Sequence, residues 1–437
     1  MHPRIRTAKN ASAVPDRLPI TTPDLIGYLA NKRSGGDSDR QVRIIVRFRG
    51  RLDEARLAAA VRMAFDAEPV AGCRLVERPF RPYWRRCPPA DLERAFEFHR
   101  ILPGEEDAKG MYGYLLEPLD PYSGPQVRAA LFRSDSDTLY IRMSHLIADG
   151  GAATDYLRIL SGIYRRLGER PDYRPASNLH GSRTAFQVLR HAGLLKALSS
   201  CTRVSPSGAG WMFPCEAGGD VSPAIFIRRI GRERVSRIRS YAKRRGATVG
   251  DVLLAASYRA LFTVIDPPEG VPMPMLVSVN LRRYIPGGRG GSLCSLTAGY
   301  FPKIARRSET FEATLSRVRD TMAMKKAGHE ELGQALLAEL VLSPGYAVAR
   351  LIGPYISPFI YIPTFSNIGV IEPGIADFGV PLEEILPAGP MHCPPGFVFG
   401  SSTFNGEMSL TSIVCGTAAF KAKVNAFFEA LLRELPE

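Results

Sequence analysis

The chain has 437 residues, 45% of them hydrophobic and 23% charged, with a formal net charge of +14. This length suits two domains rather than one ordinary core, and the composition excludes a disordered chain. The positive charge is spread along the chain rather than gathered on one element, which argues against a nucleic-acid binder. The most apolar long stretch, 252–265, is short and broken by Arg259, which argues against a membrane span.

Residues 1–19 show no periodicity and read as a flexible leader. The basic start, Met1 to Arg6, is followed by no apolar run, so no secretory signal is expected. The seven cysteines form no Cys-x-x-Cys pair. Reduced thiols and a cytoplasmic location follow as expectations. A strand is predicted over 41–50, an amphipathic helix over 53–67 with Leu57, Ala60, Val61 and Phe65 inward, and strands over 73–77, 127–133 and 138–143.

The last of these strands leads into Ser144-His145-Leu146-Ile147-Ala148-Asp149-Gly150-Gly151. Helical spacing of Tyr156, Leu160, Ile163, Tyr164 and Leu167 follows, until Gly168. A loop histidine held between a strand and a helix is well placed to act as a general base, because imidazole is mostly neutral near pH 7. The strand and the glycine pair, read as a flexible joint, argue against a helix that would put Asp149 beside His145. The carboxylate is then free to anchor the loop on an arginine. A metal-ligand reading of His145 and Asp149 needs further ligands, and the adjoining sequence offers only Asp155.

From 168 to 223 the pattern loosens around a modest helix at 186–198, and His180 and His191 read as surface or capping residues. A strand at 224–230 and a basic helix at 233–245 follow, with Thr248 as N-cap of the next helix and Asp251 in its first turn. The strand 275–280 closes on Leu281-Arg282-Arg283. The loop 287–292 lacks the Gly-Lys-Ser/Thr ending of a phosphate cradle and reads as mobile. A strand at 295–304 and helices at 309–325 and 331–341 come next. The run 359–370 suits a buried strand, yet it carries Ser366 and Asn367. These either satisfy neighbouring backbone or donate to a developing oxyanion. A hairpin turning at Asn405-Gly406 joins strands at 396–402 and 408–414, and a helix at 418–435 closes the chain.

His145, Asp149 and Gly150 resemble the His-x-x-x-Asp-Gly signature of the chloramphenicol acetyltransferase-like, CoA-dependent acyltransferase superfamily. That superfamily includes condensation domains, BAHD acyltransferases, wax ester synthases and polyketide-associated acyltransferases. Asn280-Leu281-Arg282 looks like its Asn-x-Arg segment, and Ser366-Asn367-Ile368-Gly369 looks like the strand bordering its tunnel. Asp377-Phe378-Gly379 resembles the start of a BAHD motif from which Val380-Pro381 departs, and Ser144 stands where many relatives carry a second histidine.

The resemblance implies an α/β fold of two chloramphenicol acetyltransferase-like lobes with a tunnel between them: leader 1–19, N-terminal lobe 20–175, crossover 176–223 and C-terminal lobe 224–437. It implies an acyltransferase with His145, Asp149 and Gly150 at the catalytic loop and Asp149 paired with Arg282, or failing that Arg283. Ser366 or Asn367 would lie at the oxyanion or tunnel wall. No metal, permanent cofactor or covalent acyl-enzyme is implied. Acyl-CoA or a phosphopantetheinyl acyl carrier protein would be the co-substrate, a hydroxyl or amine the acceptor, and an acidic carrier protein a possible partner. The alternative, suggested by Ser144 and by Val380-Pro381, is a non-catalytic condensation-like module that binds a carrier protein or lipid.

Overall fold

The computed structural model describes residues 14–34, 39–101, 108–204, 211–215, 218–345, 351 and 362–437. Sixteen strands, numbered in chain order, form four sheets among these residues. The first large sheet runs β14 (Leu382–Ala388), β2 (Gln41–Phe48), β7 (Asp137–Ser144), β6 (Val127–Arg133), β5 (Phe96–Arg100). The second runs β11 (Thr297–Tyr300), β10 (Leu276–Asn280), β13 (Thr364–Ile371), β15 (Val398–Phe404), β16 (Glu407–Gly416), β8 (Ser222–Ile230). A three-stranded sheet joins β1 (Arg17–Pro19), β4 (Tyr83–Arg86) and β3 (Cys73–Val76), and β12 (Lys303–Ala305) pairs with β9 (Pro272–Pro274).

Each large sheet packs one face against helices, the layered solution by which apolar faces hide from water, and the first sheet also buries Ile45, Phe132, Tyr140 and Leu386 of its opposite face against Tyr114 and Leu115. In the first, Val42, Ile44, Val46 and Phe48 alternate inward from β2. They meet Leu57, Val61 and Phe65 of the helix Glu54–Ala67 and Tyr156, Leu160 and Ile163 of the helix Gly150–Glu169. Asp53 caps the first of these helices by accepting from the Arg56 amide at 2.9 Å. In the second, Val277, Phe365, Phe399 and Leu410 face the helices Val249–Ile265 and Ala418–Glu434. Thr248 and Asp251 close a reciprocal capping box at the start of Val249–Ile265. Among the described residues no single helix is long and apolar enough to cross a membrane.

Strand β14 comes from the second half of the sequence yet pairs with β2, from Leu382↔Phe48 to Ala388↔Arg43. It is an edge strand, which is why Pro387 is tolerated within it. Phe378 precedes it and is buried in the first core, edge-on to Phe48 at 5.4 Å between ring centres. The Asp377-Phe378-Gly379 triplet thus fastens this crossing segment to the first half.

Four expectations need correction. Arg17–Pro19 pairs with Arg85–Tyr83, so the end of the expected leader belongs to a sheet. The helix expected over 186–198 breaks into Phe186–Ala192 and Leu194–Cys201 at Gly193, whose φ of 98° no helix accommodates. The strand expected over 295–304 divides into β11 and β12. The glycine loop expected to be mobile is held: Ser292 Oγ donates to Glu68 at 2.6 Å, Asn178 Nδ2 to the Gly291 carbonyl at 2.8 Å, and the Gly291 amide to Gln187 at 2.7 Å. Residues 359–361 of the predicted strand lie outside the described residues.

Candidate active site

His145 is the first residue beyond β7. Its amide donates to the Arg40 carbonyl at 2.7 Å, which ties the loop to the segment entering β2. The imidazole is half-buried and lines a cavity of about 390 Å³. Burial is the main influence holding its pKa below the ordinary histidine value. The Arg40 charge acts in the same direction, against a hydrogen bond to its own backbone and the Asp149 and Asp39 carboxylates. The ring is therefore neutral at pH 7, the state in which it can take a proton. Ser144, in the place of a second histidine, is buried and accepts from the Leu146 amide at 3.3 Å.

Asp149 turns away from the ring. It is the N-cap of the helix Gly150–Glu169, accepting from the Ala152 amide at 2.8 Å. Arg282 Nη1 donates to both of its oxygens at 2.8 and 3.0 Å, the Leu296 amide and Thr297 Oγ1 each donate at 2.7 Å, and Arg282 Nη2 reaches the Cys294 carbonyl at 2.8 Å. Burial alone would push this carboxyl up. The Arg282 charge and the donated hydrogen bonds outweigh it and hold Asp149 below the usual carboxylate range. Arg283 goes elsewhere, to Glu331. Asp155 lies 3.5 Å from Arg282 Nε and 2.8 Å from Arg158 and joins this ion-pair network.

The glycine pair is the first turn of the helix rather than a flexible joint. A Cβ on Gly151 would stand 2.5 Å from Arg282 Nη1, so glycine is needed there to admit the guanidinium. Gly150 lines the cavity, and a Cβ there would only touch Ile368 at 3.4 Å. Its contribution is space at the wall.

The floor of the cavity is the face of the second large sheet opposite its helices. Because side chains alternate along a strand, Leu276 and Ser278 of β10, Thr364 and Ser366 of β13, Val398 and Gly400 of β15, and Thr411 and Ile413 of β16 all reach it. Leu276 pairs with Thr364 and Thr364 with Val398, while Ser366 pairs with Gly400 and Gly400 with Thr411. The floor thus carries an apolar row broken by one threonine and, two residues along, a row of hydroxyls (Ser278, Ser366 and Thr411) interrupted by Gly400. Its roof comes largely from the first half, with Ile26, Leu29, Arg40, Val42 and His145, joined by Pro387–Pro390, while His392, bridged to Val414 of β16, extends the floor. Arg40 is the only charged side chain on the lining among the described residues, and burial lowers its pKa to about 10 without discharging it at pH 7.

Ser366 and Asn367 do not share this wall. Ser366 lines the cavity, whereas Asn367, one residue on, is exposed on the other face. Its Oδ1 accepts from the Gly369 amide at 2.9 Å, across the bulge where the β13–β15 register shifts. Asn367 is therefore removed from the oxyanion candidates, as the two-residue period of a strand requires.

Sequence reasoning missed Arg40, Ser278 and His392. The His392 backbone bridges to Val414, the residue is buried at 7% exposure, and its pKa is lowered to about 3 by burial, with the Arg40 charge and His145 adding to the effect. A single histidine among Met391, Cys393 and two prolines carries no periodic signal.

No family model and no curated protein matches the sequence. Solved structures do. The first condensation domain of the calcium-dependent antibiotic synthetase, bound to a substrate analogue, superposes with a TM-score of 0.70 over 98% of this chain and 96% of its own, at 19% identity. TRI3 trichothecene 15-O-acetyltransferase from Fusarium sporotrichioides gives 0.67 over 96% of each chain at 12% identity. Polyketide synthase associated protein 5 from Mycobacterium tuberculosis gives 0.62 over 94% and 96% at 13% identity. With two helix-backed sheets and a histidine loop at the end of β7, the chain has the chloramphenicol acetyltransferase-like α/β fold, which it shares with the condensation domain, the acetyltransferase and the polyketide synthase associated protein.

Proposed function

We propose that the protein is an acyltransferase that moves an acyl group from a thioester, on coenzyme A or a phosphopantetheinyl carrier protein, to a hydroxyl or amine. The observation that carries this reading is the neutral His145 imidazole on a largely apolar cavity whose walls come from both halves of the chain. The ring takes the acceptor's proton as its oxygen or nitrogen attacks the thioester carbonyl. The tetrahedral intermediate then collapses, the carbon–sulfur bond breaks, and the proton passes from His145 to the departing thiolate. Ser366 is the candidate donor to the oxyanion, because its hydroxyl faces the cavity and has no partner among the described residues. Asp149 and Arg282 hold the loop and take no part in proton transfer.

The test is incubation with acyl-CoAs of graded length, with and without a primary alcohol or amine, while free thiol is monitored. Acceptor-dependent thiol release supports transfer. Tight acyl-CoA binding with no thiol release supports instead a module that holds a carrier-bound chain or lipid.

Two further results are expected of the active enzyme. Removing one oxyanion donor typically costs about 10²–10³ in kcat. Ser366→Ala should fall in that range with KM little changed, whereas Asn367→Ala, on the opposite face, should leave kcat in place. A loss in Asn367→Ala comparable to that in Ser366→Ala would reverse the assignment. Second, kcat/KM should be flat through pH 7 and decline only on acidification, with the inflection below about 6.5, the ordinary histidine value. The sign follows from the depressed pKa: the active neutral form survives to lower pH than in a free imidazole. An inflection above 6.5 would contradict the buried, neutral base.

A further inference from the structure

His392 sits on the same cavity as His145, but nothing in the acyl-transfer step uses it. Its backbone is committed to the sheet: the amide donates to the Ile413 carbonyl at 3.2 Å, and its carbonyl accepts from the Cys415 amide at 3.0 Å. Those two bonds fix where the ring enters the cavity. No described residue exchanges a hydrogen bond with the ring itself. A buried polar group left this way normally meets water or a ligand.

Register places the ring relative to the chemistry. Ser366 pairs with Gly400 and Gly400 with Thr411, while His392 bridges to Val414, three residues further along β16. At about 3.3 Å per residue, that is roughly 10 Å along the strand direction. Ser366 and His392 thus stem from backbone positions well separated along the floor, which places His392 to address another part of whatever occupies the cavity. Between the two polar positions the floor presents Val398 and Ile413.

We propose that His392 is a specificity-determining residue, hydrogen-bonding a neutral oxygen of the substrate (a hydroxyl or carbonyl) that lies across an apolar span from the Ser366 row, whose backbone is about 10 Å away along the strand direction. A cationic group is disfavoured there, because the lining carries Arg40 and no carboxylate among the described residues. Burial keeps the His392 ring neutral, with one nitrogen able to donate and the other to accept, as recognition of an uncharged oxygen requires. This deepens the acyl-transfer reading and rests on it for the identity of the cavity's occupant. The oxygen can belong to the acyl chain or to the acceptor, and the two sources are separable.

The experiment compares 8-hydroxyoctanoyl-CoA with octanoyl-CoA as donors, and 1,8-octanediol with 1-octanol as acceptors, in the full-length wild type, His392→Leu and His392→Gln. Dissociation constants are measured calorimetrically alongside turnover. The wild type should favour the hydroxylated member of one pair by about ten- to a hundredfold. The preference should fall to near unity in His392→Leu and return in part in His392→Gln, which keeps a donor and an acceptor. The pair that shows the preference identifies whether chain or acceptor carries the oxygen. Equal affinity for both members of both pairs in the wild type, or a preference that survives in His392→Leu, overturns the proposal. Binding preference without turnover in any protein would leave His392 as assigned and remove only the transferase reading.

Discussion

His145→Ala is expected to lower acceptor-dependent thiol release by about 10²–10⁴, the usual contribution of a positioned general base, while the protein folds as before. The second half of that statement follows from the local structure. The ring is half-buried on an open cavity, and the loop is held through the His145 amide on Arg40 and through Asp149 on Arg282, Leu296 and Thr297. None of those bonds uses the imidazole, so truncating it leaves the scaffold its anchors. Two controls separate base catalysis from a packing effect. His145→Gln fills most of the volume without accepting a proton and should be nearly as slow as alanine. Free imidazole, small enough for the vacated space, should restore part of the rate to the alanine variant and none to the glutamine variant. Turnover retained in His145→Ala would remove this residue from the mechanism, and the case for transfer would have to be rebuilt on another group.

The parts of this site that were legible in the sequence are those carried by contiguous residues. A strand, a histidine at its end, a capping aspartate and a helix occupy one uninterrupted stretch, and each has a local signature. The Asp149–Arg282 pair spans 133 positions and came into view only through resemblance, since either arginine of Leu281-Arg282-Arg283 would have served by spacing alone. The cavity floor was illegible for a geometric reason. Ser278, Ser366, Gly400 and Thr411 come from four strands, and which of two faces each occupies depends on pairing register, which no single strand contains. The same blindness kept Asn367 beside Ser366 as an equal candidate. Strand β14 escaped because Leu382-Glu383-Glu384-Ile385-Leu386-Pro387 lacks clean alternation and ends in proline, and its partner lies more than 300 residues earlier in the chain. Gly151 looked like a flexible joint because the reason for its small size, the Arg282 guanidinium, is supplied from the other half of the chain.

Arg282→Met is expected to destabilise the protein by roughly 3–5 kcal/mol, the range for removing one partner of a buried ion pair, and this is the largest stability effect foreseen. Both side chains are nearly inaccessible, 2% and 4% exposed, so solvent neither screens the pair nor rescues the survivor. The three remaining donors to Asp149, from Ala152, Leu296 and Thr297, place the loss toward the lower end. Asp149→Asn should cost less, because an amide keeps an acceptor oxygen for the helix cap and Arg282 keeps the Cys294 carbonyl and Asp155. The double variant should be more stable than the sum of the two losses predicts, the mark of direct coupling. Dependence on pH sharpens the test. In the wild type the Asp149 pKa is depressed in the folded state, so its contribution is present above the unfolded value of about 3.9 and is lost as pH falls through the lower folded value. Without Arg282, burial governs and raises that pKa, so acidification neutralises the stranded carboxylate and relieves the variant. The stability gap between wild type and Arg282→Met, read from denaturant unfolding, should therefore narrow as pH is lowered from 7 toward 4. A gap that stays constant across that range would mean that Asp149 is not held by Arg282, and the anchoring of the His145 loop would need a different cause.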